Sequence, residues 1–133
     1  MSSYTFTAVL PAPIDKVRLG VEAALQDEGF GVLTEIDVKA TLRKKLDVDF
    51  RPYIILGACN PPMAYRALTA ERNIGVLLPC NVAVYAADEE GKSIVAAVDP
   101  EVSLGRVGND ALEPLAAEVK ARLRRVLDSV AGA

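Results

Sequence analysis

The chain has 133 residues, of which 51% are hydrophobic and 25% are charged, and we expect one soluble globular domain spanning residues 1–133. Its formal net charge is −3. General binders of nucleic acids or anionic membranes carry a basic surface, so neither partner is expected. The sequence contains no histidine, which excludes Ser-His-Asp and Cys-His catalysis and zinc sites built on histidine.

The sequence carries no pattern of a targeting or membrane-spanning segment. Residues 1–14 are uncharged, but they lack a basic region and are interrupted by Pro11 and Pro13, so no signal peptide is predicted. The longest later uncharged run, 73–87, contains Pro79 and is shorter than the ~20 residues that cross a bilayer. The sequence therefore predicts a cytoplasmic protein, in which two cysteines do not form a disulfide framework.

Strands and helices alternate in the first half of the chain. Apolar side chains alternate with polar ones over residues 3–10 and 30–36, which predicts two strands. Over residues 14–25 apolar side chains recur at three- and four-residue steps, which predicts an amphipathic helix. Gly29 is expected to end this helix in a left-handed conformation. Asp37 is the predicted N-cap of a second, short helix.

The middle of the chain is its most apolar part. The run Tyr53–Cys59 is nearly continuous in apolar residues, so it is expected to be a central strand buried on both faces. Asn60 and Pro61 suit the N-cap and the first position of a helix over 63–69. Residues 73–75, Asn-Ile-Gly, are expected to end that helix.

The last third of the chain predicts a hairpin and a long helix. Strands are expected over 82–86 and 93–98, and a loop over 101–110. Asp110 is the predicted start of the last helix, with Glu113 completing a capping box. The resulting order β-α-β-α-β-α-β-β-α predicts the α+β class, with a mixed or antiparallel sheet and helices packed on it.

The two cysteines are the first candidates for chemistry. Cys59 ends the most apolar strand and precedes a helix N-terminus, which favours the thiolate and lowers a thiol pKa. Cys80 begins the next buried strand, and each cysteine is followed by an asparagine, Asn60 or Asn81. The two strands belong at the sheet centre, so we expect the two cysteines to lie close together as free thiols. The alternative is that both are small buried residues.

Other polar residues are weaker candidates. Asp37 and Tyr65 are candidate ligand-binding residues, although a capping role explains Asp37 and core packing is the common role of an aromatic such as Tyr65. Two thiolates can hold a soft ion such as Cu(I), but structural zinc requires four ligands. The sequence therefore predicts no metal site, and it identifies no cofactor.

Two sequence blocks resemble a known family. Gly57-Ala-Cys-Asn-Pro-Pro62 and Leu78-Pro-Cys-Asn81 are similar to segments of the family described only as domain of unknown function 302. The resemblance covers about residues 4–130. It implies a small, single-domain α+β protein that forms a homodimer, and it assigns no activity.

Three functional hypotheses remain open from the sequence. The leading one is a homodimeric binding module that holds a small molecule in a pocket built around the two Cys-Asn pairs. The second is a thiol redox or sulfur-transfer protein with Cys59 as nucleophile and Cys80 as its partner. The third assigns both cysteines a structural role only. Ala116, Ala117 and Ala121 extend the apolar surface of the last helix, which suggests a dimer contact there.

Overall fold

Five strands form one antiparallel sheet in the computed structural model, which describes residues 4–132. The strand order is β1-β5-β4-β3-β2, and every neighbouring pair is antiparallel. The α+β class predicted from the sequence is thereby confirmed. The strands are β1 (Thr5–Leu10), β2 (Gly31–Asp37), β3 (Tyr53–Cys59), β4 (Cys80–Ala86) and β5 (Ser93–Val98).

Five helices and two short 3-10 segments complete the part of the chain that the structure describes. The helices are α1 (Ile14–Asp27), α2 (Val38–Leu46), α3 (Pro61–Ala70), α4 (Pro100–Gly105) and α5 (Glu113–Ala131). The 3-10 segments are Arg72–Leu77 and Asp110–Leu112. Among residues 4–132, no helix has both the length and the apolar character needed to cross a membrane.

The hydrophobic core lies between one face of the sheet and the long helices. Val82, Val84 and Val95 on that face are fully buried, and directly opposite residues of an antiparallel pair share a face. The buried stripes of α1 and α5, which include Val21 and Leu123, join the same core cluster. The long helices therefore cover this face, which we call the helix-covered face.

The other face of the sheet, which we call the open face, is covered less. Two rows of opposed residues run across it, and each of these residues is exposed or half-buried. The expectation that Tyr53–Cys59 is buried on both faces is therefore correct for one face only. The physical reason is that the two long helices, α1 and α5, both pack on the helix-covered face and leave the open face without a helix of that length. These two rows are Val9–Ile94–Tyr85–Tyr53 and Thr7–Ala96–Ala83–Ile55–Ile36, and a third row beside the cysteines includes Thr34, Gly57 and Asn81.

Two local predictions in the last third of the chain are wrong. Residues 100–105 form α4 instead of a loop, because the Asp99 side chain accepts a hydrogen bond from the Glu101 N–H at 3.0 Å and caps this helix. Asp110 and Glu113 form no capping box. Asn109 instead accepts from Ala111 N–H at 3.0 Å, and a 3-10 turn leads into α5.

The turn after α1 forms as the sequence predicts. Gly29 has φ of 83°, a left-handed conformation that costs glycine little. Its N–H donates to the carbonyl of Gln26, and the Phe30 N–H donates to the carbonyl of Leu25 at 2.9 Å. This bonding ends the helix and buries Phe30, which enters the core at the start of β2.

Candidate functional site

The two cysteines lie where β3 ends and β4 begins, at the same end of the sheet. Cys80 is directly opposite Ala58 in the β3–β4 pair, so Cys59 follows one residue later on the neighbouring strand. The alternation of side chains along a strand assigns Cys80 and Ala58 to the helix-covered face and Cys59 to the open face. Both cysteines are free.

A pocket wraps around this end of the sheet and both cysteines line it. Its volume is about 260 Å³. Helix α3 forms one wall, the start of α5 another, and the segment that leads into β4 a third. The lining residues are Phe30, Leu33, Ala58, Cys59, Asn60, Met63, Ala64, Ala67, Leu68, Gly75, Leu78, Pro79, Cys80, Leu104, Leu115 and Val119.

The chemistry of the pocket is apolar. None of its lining residues carries a charge, and Asn60 is the one amide side chain among them. Among residues 4–132, no three Cys, Asp or Glu side chains form a group that could hold a metal ion. The pocket therefore suits an uncharged molecule, which would leave no buried charge without a partner.

Burial changes the acidity of one of the two thiols. The pKa of Cys80 is raised from 9.0 to about 11, mainly by desolvation and also by the neighbouring Cys59. Low-dielectric surroundings disfavour the charged thiolate, and a second thiol nearby adds like-charge repulsion. Cys80 is consequently a protonated, weakly nucleophilic thiol near neutral pH.

Asn60 links the start of α3 to the end of α1 at the edge of the pocket. Its Oδ1 accepts from the Met63 N–H at 3.3 Å and so caps α3, while its Nδ2 donates to the Glu28 carbonyl at 3.5 Å. The Arg122 guanidinium donates to the same carbonyl at 2.9 Å. A Cβ on Gly29 would lie 2.9 Å from Asn60 Nδ2, so glycine permits this close approach.

We expect Asn60→Ala to lower the free energy of unfolding by about 1–2 kcal/mol, because it removes the cap of α3 and the bond to Glu28. Asn81→Ala is the matched control, since Asn81 also follows a cysteine but is exposed. A change within about 0.5 kcal/mol is expected for that control. Urea denaturation of both variants measures the difference, and equal effects would contradict the structural role of Asn60.

The other candidate residues lie outside the pocket. Asn81 is opposite Gly57 and exposed on the open face. Tyr65 is 74% exposed on α3, on the side away from the buried Met63 and Ala67. Asp37 accepts from the Ala40 N–H at 2.9 Å and caps α2.

Asp37 is also far from the cysteines along β2. It is opposite Ile54, whereas Gly31 at the other end of β2 is opposite Cys59. Six residues of extended chain separate Asp37 from Gly31, which corresponds to roughly 20 Å. The pocket thus brings together Cys59, Asn60 and Cys80, and it leaves out the three other candidates.

Several pocket residues are absent from the candidates named from the sequence. Met63 and Ala67 are buried at helical spacing, so periodicity identifies the inward face of α3. Leu115 and Val119 come from α5, and their position at the cysteines depends on how α5 crosses the sheet. Leu33 lies in the irregular part of β2 between Val32 and Thr34, where the regular alternation of strand residues fails.

Comparisons with known proteins support the family resemblance of the sequence blocks around the cysteines. The family model "Domain of unknown function DUF302" matches residues 6–130. The crystal structure of an uncharacterized conserved DUF302 protein from Bacillus stearothermophilus is similar, with 32% sequence identity and a TM-score of 0.88. That match covers 97% of this chain and 99% of the other. Among curated proteins, none matches this chain. The chain belongs to the DUF302 family.

Proposed function

We propose that this protein is a homodimeric binding module that holds a small, uncharged, apolar molecule in the pocket beside Cys59 and Cys80. The observation that carries the proposal is a pocket of about 260 Å³ without a charged lining residue. The proposal keeps the cytoplasmic location expected from the sequence, because unpaired thiols persist in a reducing compartment.

The size of the pocket limits the molecule that it accepts. An apolar cavity of about 150 Å³ holds benzene, and pockets for drug-sized ligands begin near 300 Å³. A volume of about 260 Å³ therefore suits a molecule somewhat larger than a single aromatic ring. Asn60 supplies a polar group at one side of the pocket, although both ends of its amide already take part in hydrogen bonds.

The pocket opens where its lining side chains reach solvent. Leu33 is 67% exposed and Leu68 is 44% exposed, and both line the pocket. Exposed leucines on both sides of an opening present apolar surface to an entering molecule. This supports binding through the gap between β2 and α3.

The thiol redox hypothesis receives less support than the binding module. The raised pKa of Cys80 slows its attack on a disulfide or an electrophile, because the thiolate is the reacting form. Strand alternation also directs the two thiols to opposite faces of the sheet. A direct Cys59–Cys80 disulfide would then require the backbone to move.

The test is a fluorescence titration with two ligands of matched shape. We expect neutral 1-aminonaphthalene to bind, and anionic naphthalene-1-sulfonate to bind at least about 100-fold more weakly, because its charge finds no partner in the pocket. Ala67→Leu enlarges a buried lining residue and is expected to weaken binding of the neutral dye by at least about 10-fold.

Ala121→Leu is the matched control for this titration, because Ala121 is exposed on α5 and is not a lining residue. It should leave the affinity for 1-aminonaphthalene unchanged. Equal affinity for the neutral and anionic dyes, or equal affinity of the Ala67→Leu variant and the unmodified protein, would contradict an apolar site at this position.

A further inference from the structure

We infer that the open face of the sheet is the surface at which two copies of this chain pair. The inference rests on the homodimer named in the proposed function, and it places the contact on the sheet instead of on α5. The apolar residues of α5 that suggested a contact there include Ala116, which is buried inside the chain. The open face offers a larger surface of suitable chemistry.

The rows of the open face lack the charged side chains of a solvated sheet, although the row beside the cysteines carries uncharged polar residues, Thr34 and Asn81. An antiparallel sheet that faces water on one side alternates apolar residues inward with polar residues outward. Here the outward row Val9–Ile94–Tyr85–Tyr53 contains no charged residue, although Val9 is 60% exposed. In the second row, Thr7 is the one residue with a polar side chain. Both rows are thus mainly apolar at positions where a sheet that faces water carries polar side chains.

One inner strand of this surface, β3, has the sequence of a strand buried on both sides. Ile54, Leu56 and Ala58 of β3 are buried against the helices. The alternating residues Tyr53 and Ile55 are equally apolar but remain half-buried in the single chain. A run that is apolar on both sides is typical of strands covered on both faces. The chain provides one of the two covers, and a second copy would provide the other.

The relief of the surface suits packing of one sheet on another. Ala83 and Ala96 are opposite each other at the centre of the face, with larger side chains in the adjoining row. Tyr53 and Tyr85 stack at 4.9 Å between ring centroids and form a ridge beside them. Two sheets pack about 10 Å apart with interdigitating side chains. A two-fold axis that runs between the tyrosine row and the alanine row would set the ridge of one copy against the alanine row of the other.

The flat area of the open face is close to the lower limit for a specific contact. Five strands spaced about 4.8 Å apart, with about six residues at 3.3 Å each, give a flat footprint of roughly 500 Å². Pairing would therefore cover on the order of 1,000 Å² in projection on two copies, and stable interfaces start at about 1,200 Å² of accessible surface. The relief of the side chains adds to the flat value, as does Phe50, whose ring lies 6.2 Å from that of Tyr53.

A second copy fits this face better than a charged partner. The chain carries a net charge of −3, so two copies repel each other weakly, and contact surfaces free of charge keep their charged groups apart, where salt screens the repulsion. The two rows contain no acidic or basic residue, and pairing them leaves no charge buried without a partner. Self-complementary two-fold contacts are also the commonest arrangement of homo-oligomers.

The experiment measures molar mass by light scattering at high micromolar concentration. We expect the unmodified protein to have the mass of two chains and Ala96→Glu to have the mass of one, 14.2 kDa. Each paired copy would bury one new carboxylate, which should raise the dimer dissociation constant by roughly 100-fold or more. Val9→Lys is a second variant, because this exposed residue can be changed without affecting the core.

The matched control is Ala121→Glu, the same substitution at an exposed position of α5, which we expect to remain a dimer. A dimeric Val9→Lys together with a dimeric, folded Ala96→Glu would overturn the inference, and so would a monomeric Ala121→Glu. A monomeric unmodified protein would overturn the homodimer and the inference together. The dye titration is independent of these outcomes, since the folded Ala96→Glu monomer retains the pocket.

Discussion

Replacing Gly57 by alanine is expected to lower the free energy of unfolding by about 3 kcal/mol, the upper end of the cost of overpacking a core. A Cβ at this position would overlap Thr34 Oγ1 and lie 2.8 Å from Pro79 Cγ. The threonine side chain can rotate, but the proline ring is rigid, so Pro79 and the segment that leads into β4 must move away from the sheet. Gly57 is buried in β3, and its missing side chain allows Pro79 to lie against the sheet beside Cys80.

Gly31→Ala is the matched control for Gly57→Ala. Gly31 also lies in this part of the sheet, and a Cβ added there meets no atom within 4 Å. Its free energy of unfolding should change by no more than about 0.5 kcal/mol. Adding Thr34→Ala to Gly57→Ala should restore part of the loss, because one of the two overlaps disappears. Denaturant unfolding measures all three, and a Gly57→Ala variant as stable as Gly31→Ala would contradict the close approach of Pro79.

Cys80 is expected to react with iodoacetamide about 100-fold more slowly in the folded protein than in the urea-unfolded chain at neutral pH. The pKa of Cys80 is raised from 9.0 to about 11, and two pH units correspond to a 100-fold smaller thiolate fraction. Measuring the Cys59→Ala variant leaves Cys80 as the one thiol in the chain. Equal rates in the folded and unfolded chain would show that Cys80 is not buried as described.

The same shift makes stability depend on pH. Between pH 9 and about 11 the unfolded chain has lost the Cys80 proton while the folded chain retains it, so stability falls as the pH rises through this window. The loss approaches about 2–3 kcal/mol above pH 11. Comparison with Cys80→Ala isolates this contribution, because lysines and tyrosines titrate in both proteins. A pH profile that Cys80→Ala leaves unchanged would contradict the raised pKa.

The sequence predicts most of the secondary structure because the decisive signals are local. The helical spacing of Val17, Val21 and Leu25 and the glycine at position 29 define α1 without reference to any other part of the chain. Helix α4 was missed because Asp99-Pro100 is equally consistent with a turn. The structure resolves this ambiguity through the hydrogen bond from the Glu101 N–H to the Asp99 carboxylate.

The candidate site could be predicted only in part. The apolar runs around Cys59 and Cys80 predict that both residues lie on neighbouring inner strands, whereas the pocket between them and the helices depends on how α3 and α5 pack. The exclusion of Asn81 depends on its register opposite Gly57, and the sequence alone does not determine register. The exposure of Tyr65 could have been recognised, because Met63 and Ala67 occupy the inward side of α3 at a spacing of four residues.

The central claim is that an apolar molecule binds beside the two cysteines, and Met63 reports on it most directly. The chain contains two methionines, so methyl-labelled methionine gives two NMR signals, and Met63→Leu identifies the signal of Met63. Because Met63 is buried and lines the pocket, we expect 1-aminonaphthalene to shift this signal in proportion to the bound fraction seen by fluorescence. A Met63 signal that stays in place while the dye binds would contradict the claim.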